Sequence, residues 1–359
     1  MTPGASVKEI GVAIQGAGWV SGEHIRAYQQ NPHARIVAIG SRTRDGAERK
    51  AREFALEVPA YDSYEEMLAR PDVDAVSICT PPERHAEETV LAARAGKHIL
   101  IEKPVALNPE DLHRMRDAVS EAGVRTVVSF VLRWNPAVAN IKALRALGAL
   151  GDVFMVQTDY WHNVAQAGGY QRQRRPKKDA VGAMLGGGCH AFDMARYLME
   201  SDITSVSARS WTPAEPGEET WHANTLAVVR FANGAMGKVS GCTSQWMPYN
   251  FNIDVFGTEG VVRGNRLYTT RLPGLRGFAE MDTVLPDNGD VAHHPFGEEI
   301  DHFLDCILTG KESHVNLEDA VNTHEACFAA DLSSDRDGAT VDLPMLLDPA
   351  EGEPGGTGR

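Results

Sequence analysis

Two side chains that can exchange protons follow three consecutive glycines in the stretch MLGGGCHAFDMARYL, residues 184 to 198. His190 has an ordinary pKa of about 6.5, which suits a general base that accepts a hydroxyl proton. If a helix begins near Cys189, Asp193 shares a face with His190. Four interpretations are open: a phosphate cradle, a metal site, a packed corner, or a substrate-facing catalytic element. Neighbouring Cys and His side chains point apart on a helix, which disfavours a metal site formed by Cys189, His190 and Asp193.

A second glycine cluster lies in IGVAIQGAGWVSGEH, residues 10 to 24, directly after a predicted strand and before a helical pattern. Gly16 permits the tight turn and Gly18 lets the backbone approach a pyrophosphate, while Trp19 and Val20 open the helix whose N–H groups would receive it. The third glycine of the dinucleotide motif is replaced by Ser21. The pattern predicts a dinucleotide site, with a generic strand-to-helix turn as the alternative.

The end of the second predicted strand, VAIGSRTRDG, bears on which nucleotide binds. An acid at this position usually contacts the ribose diol of NAD, whereas this chain has Ser41, Arg42 and Arg44. A hydroxyl and a guanidinium favour a 2′-phosphate, so the sequence slightly favours NADP over NAD. Stacking of Arg42 on the adenine and a solvated basic loop remain open as alternatives.

The elements that must hold these residues form two patterns. From Val7 to Val127, short β-branched runs alternate with helical patterns, which predicts βαβ units in a doubly wound parallel sheet. After Gly151 the runs lengthen and alternate, an Asn-Gly turn predicts a hairpin, and two helical patterns follow. We therefore expect an α/β chain with three parts: a dinucleotide-binding Rossmann domain over 1–128, an α/β domain with a large, mostly antiparallel open sheet over 129–346, and a flexible tail over 347–359.

The composition excludes several classes of protein. A formal net charge of −14 disfavours nucleic-acid and anionic-membrane partners, while 43% hydrophobic residues suffice for a sizeable core. The five scattered cysteines indicate neither a disulfide framework nor a zinc ribbon. The start of the chain has no leader pattern, and nowhere do about 18 apolar residues run together. These features predict a cytoplasmic protein without a membrane span and without a bound metal.

Four motifs in order carry a family resemblance: GAGWVSGEH, CTPPERH, IEKPVALNPEDL and GGGCHAFD. Together they resemble the Gfo/Idh/MocA family of oxidoreductases, which is named for glucose-fructose oxidoreductase and inositol dehydrogenase. The resemblance covers nearly the whole chain. It implies a nicotinamide dinucleotide, NAD(P)(H), on the first domain and a small polyhydroxylated substrate against the sheet of the second.

The resemblance also implies roles for individual residues. Lys103 matches the catalytic lysine, and Glu102 and Pro104 position it, with a cis Lys-Pro bond as one means. An ammonium group at Lys103 would hold His190 neutral and stabilise developing alkoxide charge while His190 acts as the general base. The segment beneath the nicotinamide corresponds to Thr80, Pro81, Pro82 and His85. For His85, a plain role in the first turn of a helix is equally open.

The family's usual pattern at the fourth motif runs Asp, any residue, Gly, any residue, His, two residues, Asp. Gly188, His190 and Asp193 match it, but Gly186 stands where the first Asp is usual. We expect Asp193 to bind a substrate hydroxyl, with orientation of the imidazole as the alternative. Three glycines permit a sharp turn into the helix, and the room at Gly186 predicts a substrate larger than a monosaccharide, such as a glycoside.

Other residues carry weaker signals. Tyr160, Trp161 and His162 end a predicted strand, where Tyr160 and His162 would contact a sugar ring or simply pack. A basic run precedes the glycine cluster and is either solvated surface or a lid: Arg172, Arg174, Arg175, Lys177 and Lys178. We assign His293 and His294 no role.

These expectations amount to hydride transfer between a nicotinamide cofactor and a secondary hydroxyl or ketone of a sugar, cyclitol or glycoside. One alternative is a redox-neutral sugar-modifying enzyme that oxidises its substrate transiently and keeps its nucleotide bound. Another is a catalytically inactive nucleotide-binding partner, suggested by the missing Asp at position 186. The uncovered sheet face predicts a homo-oligomer, a dimer or tetramer.

Overall fold

Six parallel strands form the first sheet. The computed structural model describes residues 9–163, 181–212, 222–286 and 294–345. The strands of this sheet are β1 (Ile10–Gln15), β2 (Ala34–Gly40), β3 (Ala60–Tyr61), β4 (Ala75–Ile78), β5 (His98–Ile101) and β6 (Thr126–Val128). Their order is β3-β2-β1-β4-β5-β6, and every pairing is parallel. The prediction of a doubly wound parallel sheet is confirmed.

Helices connect these strands and cover both faces of the sheet, which is why β1 and β4 are buried along their whole length. They are α1 (Trp19–Gln30), α2 (Arg44–Glu53), α3 (Tyr64–Leu68), α4 (His85–Arg94), α5 (Pro109–Ala122) and α6 (Pro136–Ala146). Local sequence fixes several of their starts. The Asn135 side chain caps α6 by accepting a hydrogen bond of 2.9 Å from the Ala137 N–H.

Nine strands form the second sheet. They are β7 (Val153–Trp161), β8 (Ile203–Trp211), β9 (Asn224–Phe231), β10 (Met236–Cys242), β11 (Asn250–Gly257), β12 (Gly260–Arg263), β13 (Arg266–Thr269), β14 (Ala279–Glu280) and β15 (Val341–Asp342). The order is β14-β13-β12-β11-β7-β10-β9-β8-β15. β7 and β10 pair in parallel and the remaining pairs are antiparallel. The prediction of a mostly antiparallel sheet is confirmed.

Three further helices belong to the second part of the chain, and two of them reach back to the first. They are α7 (Cys189–Met199), α8 (Phe296–Thr309) and α9 (Leu317–Asp335). α7 packs on β7, α9 packs on both β8 and α5, and α8 packs on α1. Because the last two helices contact both halves, the proposed domain division at residues 128 and 129 stays a prediction.

A short π-helix leads directly into α7. It spans Met184–Gly188 and contains the three glycines of the motif. Single turns of π-helix interrupt α-helices most often at functional sites. Within the described ranges, no helix is both long and apolar enough to cross a bilayer. The basic run at 172–178, His293 and the predicted tail from 347 onward lie outside the described residues.

Candidate active site

Lys103 lies immediately after β5, at the carboxyl edge of the first sheet where ligands bind in such folds. The Lys103-Pro104 peptide bond is cis. The neighbouring Glu102 carboxylate is buried and accepts three hydrogen bonds: from His24 Nε2 at 3.0 Å, from Ser129 Oγ at 3.0 Å and from the Lys103 N–H at 3.2 Å. Burial raises the pKa of Glu102, but these partners outweigh burial and hold that pKa below its ordinary value. Glu102 is therefore an ionised group fixed beside Lys103.

Two buried histidines hold the other side of this loop. His85 begins α4, and its Nδ1 lies 2.9 Å from the Pro104 carbonyl oxygen while its Nε2 lies 2.8 Å from that of Thr80. The Val105 N–H donates to His324 Nε2 of α9 at 2.9 Å. Side chains from two separate helices thus fix the backbone immediately after Lys103. His85 joins this loop to the segment of Thr80, Pro81 and Pro82, so the structure assigns it a bridging position between two loops.

His190 is the second residue of α7 and is buried. Its ring stacks on Tyr160 with centroids 5.7 Å apart and meets the edge of Phe130 at 5.8 Å. Burial lowers the pKa of His190 well below its ordinary value, and the nearby ammonium group of Lys103 lowers that pKa further. Its Nδ1 is buried with no hydrogen-bond partner among the described residues. His190 is therefore a neutral imidazole at neutral pH, able to accept a proton.

Four rings next to His190 and to one another form what we call the aromatic cluster: Tyr160, His162, Tyr249 and His294, of which Tyr160 and His294 contact His190 itself. The Tyr160 hydroxyl lies 3.4 Å from His162 Nδ1, and the rings of His162 and Tyr249 are 5.1 Å apart. His294 lies 5.8 Å from Tyr249 and 6.4 Å from His190. The structure thus places Tyr160 against His190 and His162 against Tyr160, and it adds Tyr249 and His294, to which the sequence assigned no role.

Asp193 occupies a different environment from the one expected. Its two carboxylate oxygens accept hydrogen bonds of 2.9 and 2.6 Å from the guanidinium of Arg133, and Asp193 is only 1% exposed. Arg133 also contacts Asp319 at 2.7 Å. This paired geometry between planar groups is that of a buried structural ion pair. The structure therefore places Asp193 in a link between α7 and the segment that follows β6.

A dinucleotide fits the start of α1. Gly16 has φ +116°, and a Cβ there would lie 2.6 Å from the Cys79 carbonyl oxygen, so only glycine suits this turn. A Cβ at Gly18 would meet no atom within 4 Å, and no side chain caps the helix. Trp19, at the first helical position, is 56% exposed. The free N–H groups and the open space beside Gly18 suit a pyrophosphate.

The end of β2 is also open to a nucleotide. Ser41 is partly exposed and Arg42 is exposed, and Thr43 caps α2 by accepting a hydrogen bond of 3.2 Å from the Gly46 N–H. Among the described residues, no three His, Cys, Asp or Glu side chains are grouped to hold a metal. Burial raises the pKa of the Cys189 thiol to about 12, which disfavours the thiolate that a metal would need.

Comparison with known families agrees with this geometry. Residues 10–130 match the profile described as the oxidoreductase family with NAD-binding Rossmann fold, and residues 138–263 match the GFO/IDH/MocA C-terminal domain. The chain is 31% identical over 323 residues to the scyllo-inositol 2-dehydrogenase (NAD(+)) of Bacillus subtilis, covering 88% of this chain and 90% of that protein. It is 29% identical over 312 residues to the inositol 2-dehydrogenase of Rhizobium meliloti, covering 83% and 89%.

Solved structures give the same assignment. A levoglucosan dehydrogenase in complex with NADH and levoglucosan superposes with a TM-score of 0.83 at 26% identity, covering 94% of this chain and 100% of that one. The match extends over both sheets, so the relatives share the arrangement of the whole chain. From these matches and the fold, the chain belongs to the GFO/IDH/MocA family of NAD-binding oxidoreductases.

Proposed function

We propose that the protein transfers a hydride between a nicotinamide nucleotide and a secondary hydroxyl or ketone of a sugar, cyclitol or glycoside. The observation that carries this proposal is the pairing of a neutral His190 with the ammonium group of Lys103, beside an aromatic cluster suited to sugar rings. Relatives named for inositols and levoglucosan support the same substrate class.

Separate residues bind the nucleotide, transfer the proton and stabilise charge in the proposed reaction. The nucleotide would bind at Gly16, Gly18, Trp19 and Val20, at Ser41 and Arg42, and along Thr80, Pro81 and Pro82. When bound, it supplies the hydride acceptor for oxidation and the hydride donor for reduction. His190 takes the hydroxyl proton as the alcohol is oxidised and returns it in the reverse direction. Lys103 stabilises the negative charge that develops on the substrate oxygen.

Supporting residues keep this pair in place. We propose that Glu102, His85 and His324 position the Lys103 loop through the contacts described above. Tyr160 and His162 bind the substrate together with Tyr249 and His294, because aromatic faces pack against the C–H faces of sugar rings. We assign Asp193 to the ion pair with Arg133 in place of the substrate contact expected from the sequence.

A direct assay tests this function. Oxidation of scyllo-inositol, myo-inositol and levoglucosan is followed by the absorbance of reduced nicotinamide, in the wild type and in Lys103→Met and His190→Ala. We expect turnover of at least one substrate class by the wild type and a large loss in both variants with nucleotide binding intact. Turnover that survives in either variant would remove that residue from the proposed role.

We further propose that NADP binds more tightly than NAD. The exposed guanidinium of Arg42 and the hydroxyl of Ser41 follow β2, where an NAD-selective site usually has an acid. Because the scyllo-inositol 2-dehydrogenase relative is named for NAD(+), a preference of this chain for NADP would distinguish the two proteins. The ratio of kcat/KM for NADP and NAD tests the proposal, with Arg42→Ala as the matched variant. A clear NAD preference, unchanged by Arg42→Ala, would overturn it.

The space at Gly186 supports a substrate larger than a monosaccharide. A Cβ there would have Val181 Cγ1, at 3.6 Å, as its nearest neighbour, so an added methyl group fits without displacing its surroundings. We propose that a glycoside substituent uses this room. Gly186→Asp should then lower kcat/KM for glycosides more than for inositols. An unchanged preference would contradict the proposal.

The outer face of the second sheet supports homo-oligomerisation. Apolar side chains on two adjacent strands are about half exposed there: Met236 of β10, and Leu226 and Val228 of β9. A patch of this kind is a poor monomer surface, so we propose that a second copy of the chain covers it. Light scattering of the wild type and Val228→Lys tests this. A monomeric wild type would contradict it.

We also propose a cytoplasmic location. All five cysteines are free, which suits a reducing compartment. Fractionation of cells that produce the protein at its natural level tests the location. Recovery outside the cytoplasmic fraction would contradict it.

A further inference from the structure

Two buried carboxyl groups meet at a single hydroxyl beneath the Lys103 loop. The Ser129 hydroxyl oxygen lies 3.0 Å from Glu102 Oε1 and 3.1 Å from Oε2 of Glu299, a residue of α8. Glu299 is fully buried and Ser129 is 1% exposed. These residues are distant in sequence, and Glu299 has no part in the proton transfer described above. The arrangement therefore raises the question of how their protons are distributed.

Counting hydrogens answers it. A serine hydroxyl has one hydrogen, so it cannot donate to two ionised carboxylates at once. One of the two acids must itself donate to Ser129. Glu102 receives two further hydrogen bonds, from His24 Nε2 and the Lys103 N–H. Glu299 Oε1, in contrast, is buried with no hydrogen-bond partner among the described residues. An ionised carboxylate is costly in such a place, so the proton belongs to Glu299.

We propose that Glu299 is a neutral carboxylic acid that donates its proton to Ser129 and is a positioning residue for Lys103. Its donation directs the single Ser129 hydrogen to Glu102. Glu102, held by Ser129 and His24, then receives the Lys103 N–H in a fixed direction. The inference rests on the proposed function of Lys103, but the protonation of Glu299 does not.

The surroundings of Glu299 support this assignment. Burial, and secondly the charge of Glu102, raise the pKa of Glu299 well above its ordinary value. The titratable groups near it are Glu102 at the end of β5, Tyr28 of α1 and Cys79 after β4, while His24 of α1 and Lys103 both contact Glu102. Burial raises the pKa of both Tyr28 and Cys79, so these two stay neutral. A second negative charge here would face Glu102 directly.

The position of Lys103 should therefore depend on the proton that Glu299 carries and not on a charge at Glu299. Ionisation of Glu299 at alkaline pH removes the donor to Ser129 and places two negative charges across one hydroxyl. Glu299→Gln keeps a donor of the same shape and cannot ionise, whereas Glu299→Ala removes the donor. Comparing these two variants therefore separates the effect of the donated hydrogen bond from the effect of ionisation at Glu299.

Infrared difference spectroscopy of the intact protein at neutral pH gives the most direct test. The wild type minus Glu299→Gln spectrum should contain the C=O stretching band of a protonated carboxylic acid, shifted in D2O. Ionised carboxylate bands in its place would overturn the proposal. Because no turnover is needed, this result stands apart from the proposed function, whose failure would appear as a wild type that turns over no substrate.

Kinetics test the positioning role. Glu299→Gln should keep the kcat of the wild type and lose any alkaline decline that Glu299 causes. Glu299→Ala should lower kcat by about 2-fold to 10-fold with KM unchanged, the range expected for the loss of a hydrogen bond between neutral groups. If Glu299→Ala does not fold, Glu299→Gln and the spectrum decide. A loss in Glu299→Gln as large as in Glu299→Ala would refute the role.

Discussion

The side chain that Gly187 lacks would occupy the space of the Tyr160 ring. A Cβ built on Gly187 lies 2.2 Å from Tyr160 Cε1 and 2.6 Å from its Cδ1. Carbon atoms in contact are about 3.5 to 4.0 Å apart, so the ring or the start of α7 must move by about 1 Å or more. The Tyr160 ring is also in contact with Tyr249, with centroids 5.4 Å apart, and it stacks on His190. Gly187→Ala should therefore disturb the candidate base itself.

The adjacent glycine provides a matched control. A Cβ at Gly186 has 3.6 Å of clearance, and both positions are in the same π-helix, so both variants share the gain in helix propensity of up to about 1 kcal/mol. The difference between them isolates the overpacking, which costs about 1–3 kcal/mol in well-packed cores. We therefore expect Gly187→Ala to unfold with a free energy about 1–3 kcal/mol below that of Gly186→Ala.

Urea unfolding measures this difference in unfolding free energy when the free energies of both variants fall with urea concentration at the same slope. In kinetics, Gly187→Ala should lower kcat/KM on a cyclitol by about 100-fold, the effect of a misplacement of about 1 Å in an active site. Gly186→Ala should stay close to the wild type on the same cyclitol. Equal stability and equal activity of the two variants would refute the steric argument and the assigned role of the Tyr160–His190 stack.

Three other predictions follow from the same contacts. His190→Ala should lower kcat/KM by about 10²–10⁴-fold, the usual contribution of a general base, while calorimetry finds nucleotide affinity unchanged; a small loss would exclude His190 as the base. Burial lowers the pKa of His324 to about 4, below the value of about 6.5 in an unfolded chain, so the folded protein binds fewer protons between these pH values. It should thus lose about 3 kcal/mol as pH falls from 6.5 to 4, and unfolding curves of His324→Gln should lack this slope; identical slopes would contradict the argument. Mass spectrometry of the denatured protein should find no stoichiometric nucleotide, because an ordinary dehydrogenase exchanges it; a full complement would favour the redox-neutral alternative.

Much of the fold is predictable from local sequence. β-branched runs bounded by turn residues mark β1, β2 and the strands β4 to β6, and Asn135 with Pro136 marks the start of α6. The two-residue strands β3, β14 and β15 escape prediction because they have no hydrophobic period. Their positions depend on pairing with strands already in place.

Some residues of the candidate site are likewise predictable from the sequence and others are not. Lys103 and His190 are identified because short motifs surround them in the sequence. Tyr249, His294 and Glu299 carry no such signal, since each reaches the site only through contacts across the folded chain. Asp193 illustrates the limit: its motif predicts a substrate contact, whereas Arg133, 60 residues earlier, engages both of its oxygens. Sequence spacing cannot reveal a partner at that distance.

The most direct test of the account follows the transferred hydrogen. The protein is incubated with NAD or NADP and an inositol deuterated at its ring carbons, and the nicotinamide nucleotide is analysed by mass spectrometry. We predict one deuterium in the reduced nucleotide from the wild type and none from Lys103→Met. Substrate consumption without deuterium in the nucleotide, or equal labelling by the Lys103 variant, would contradict direct hydride transfer at this site.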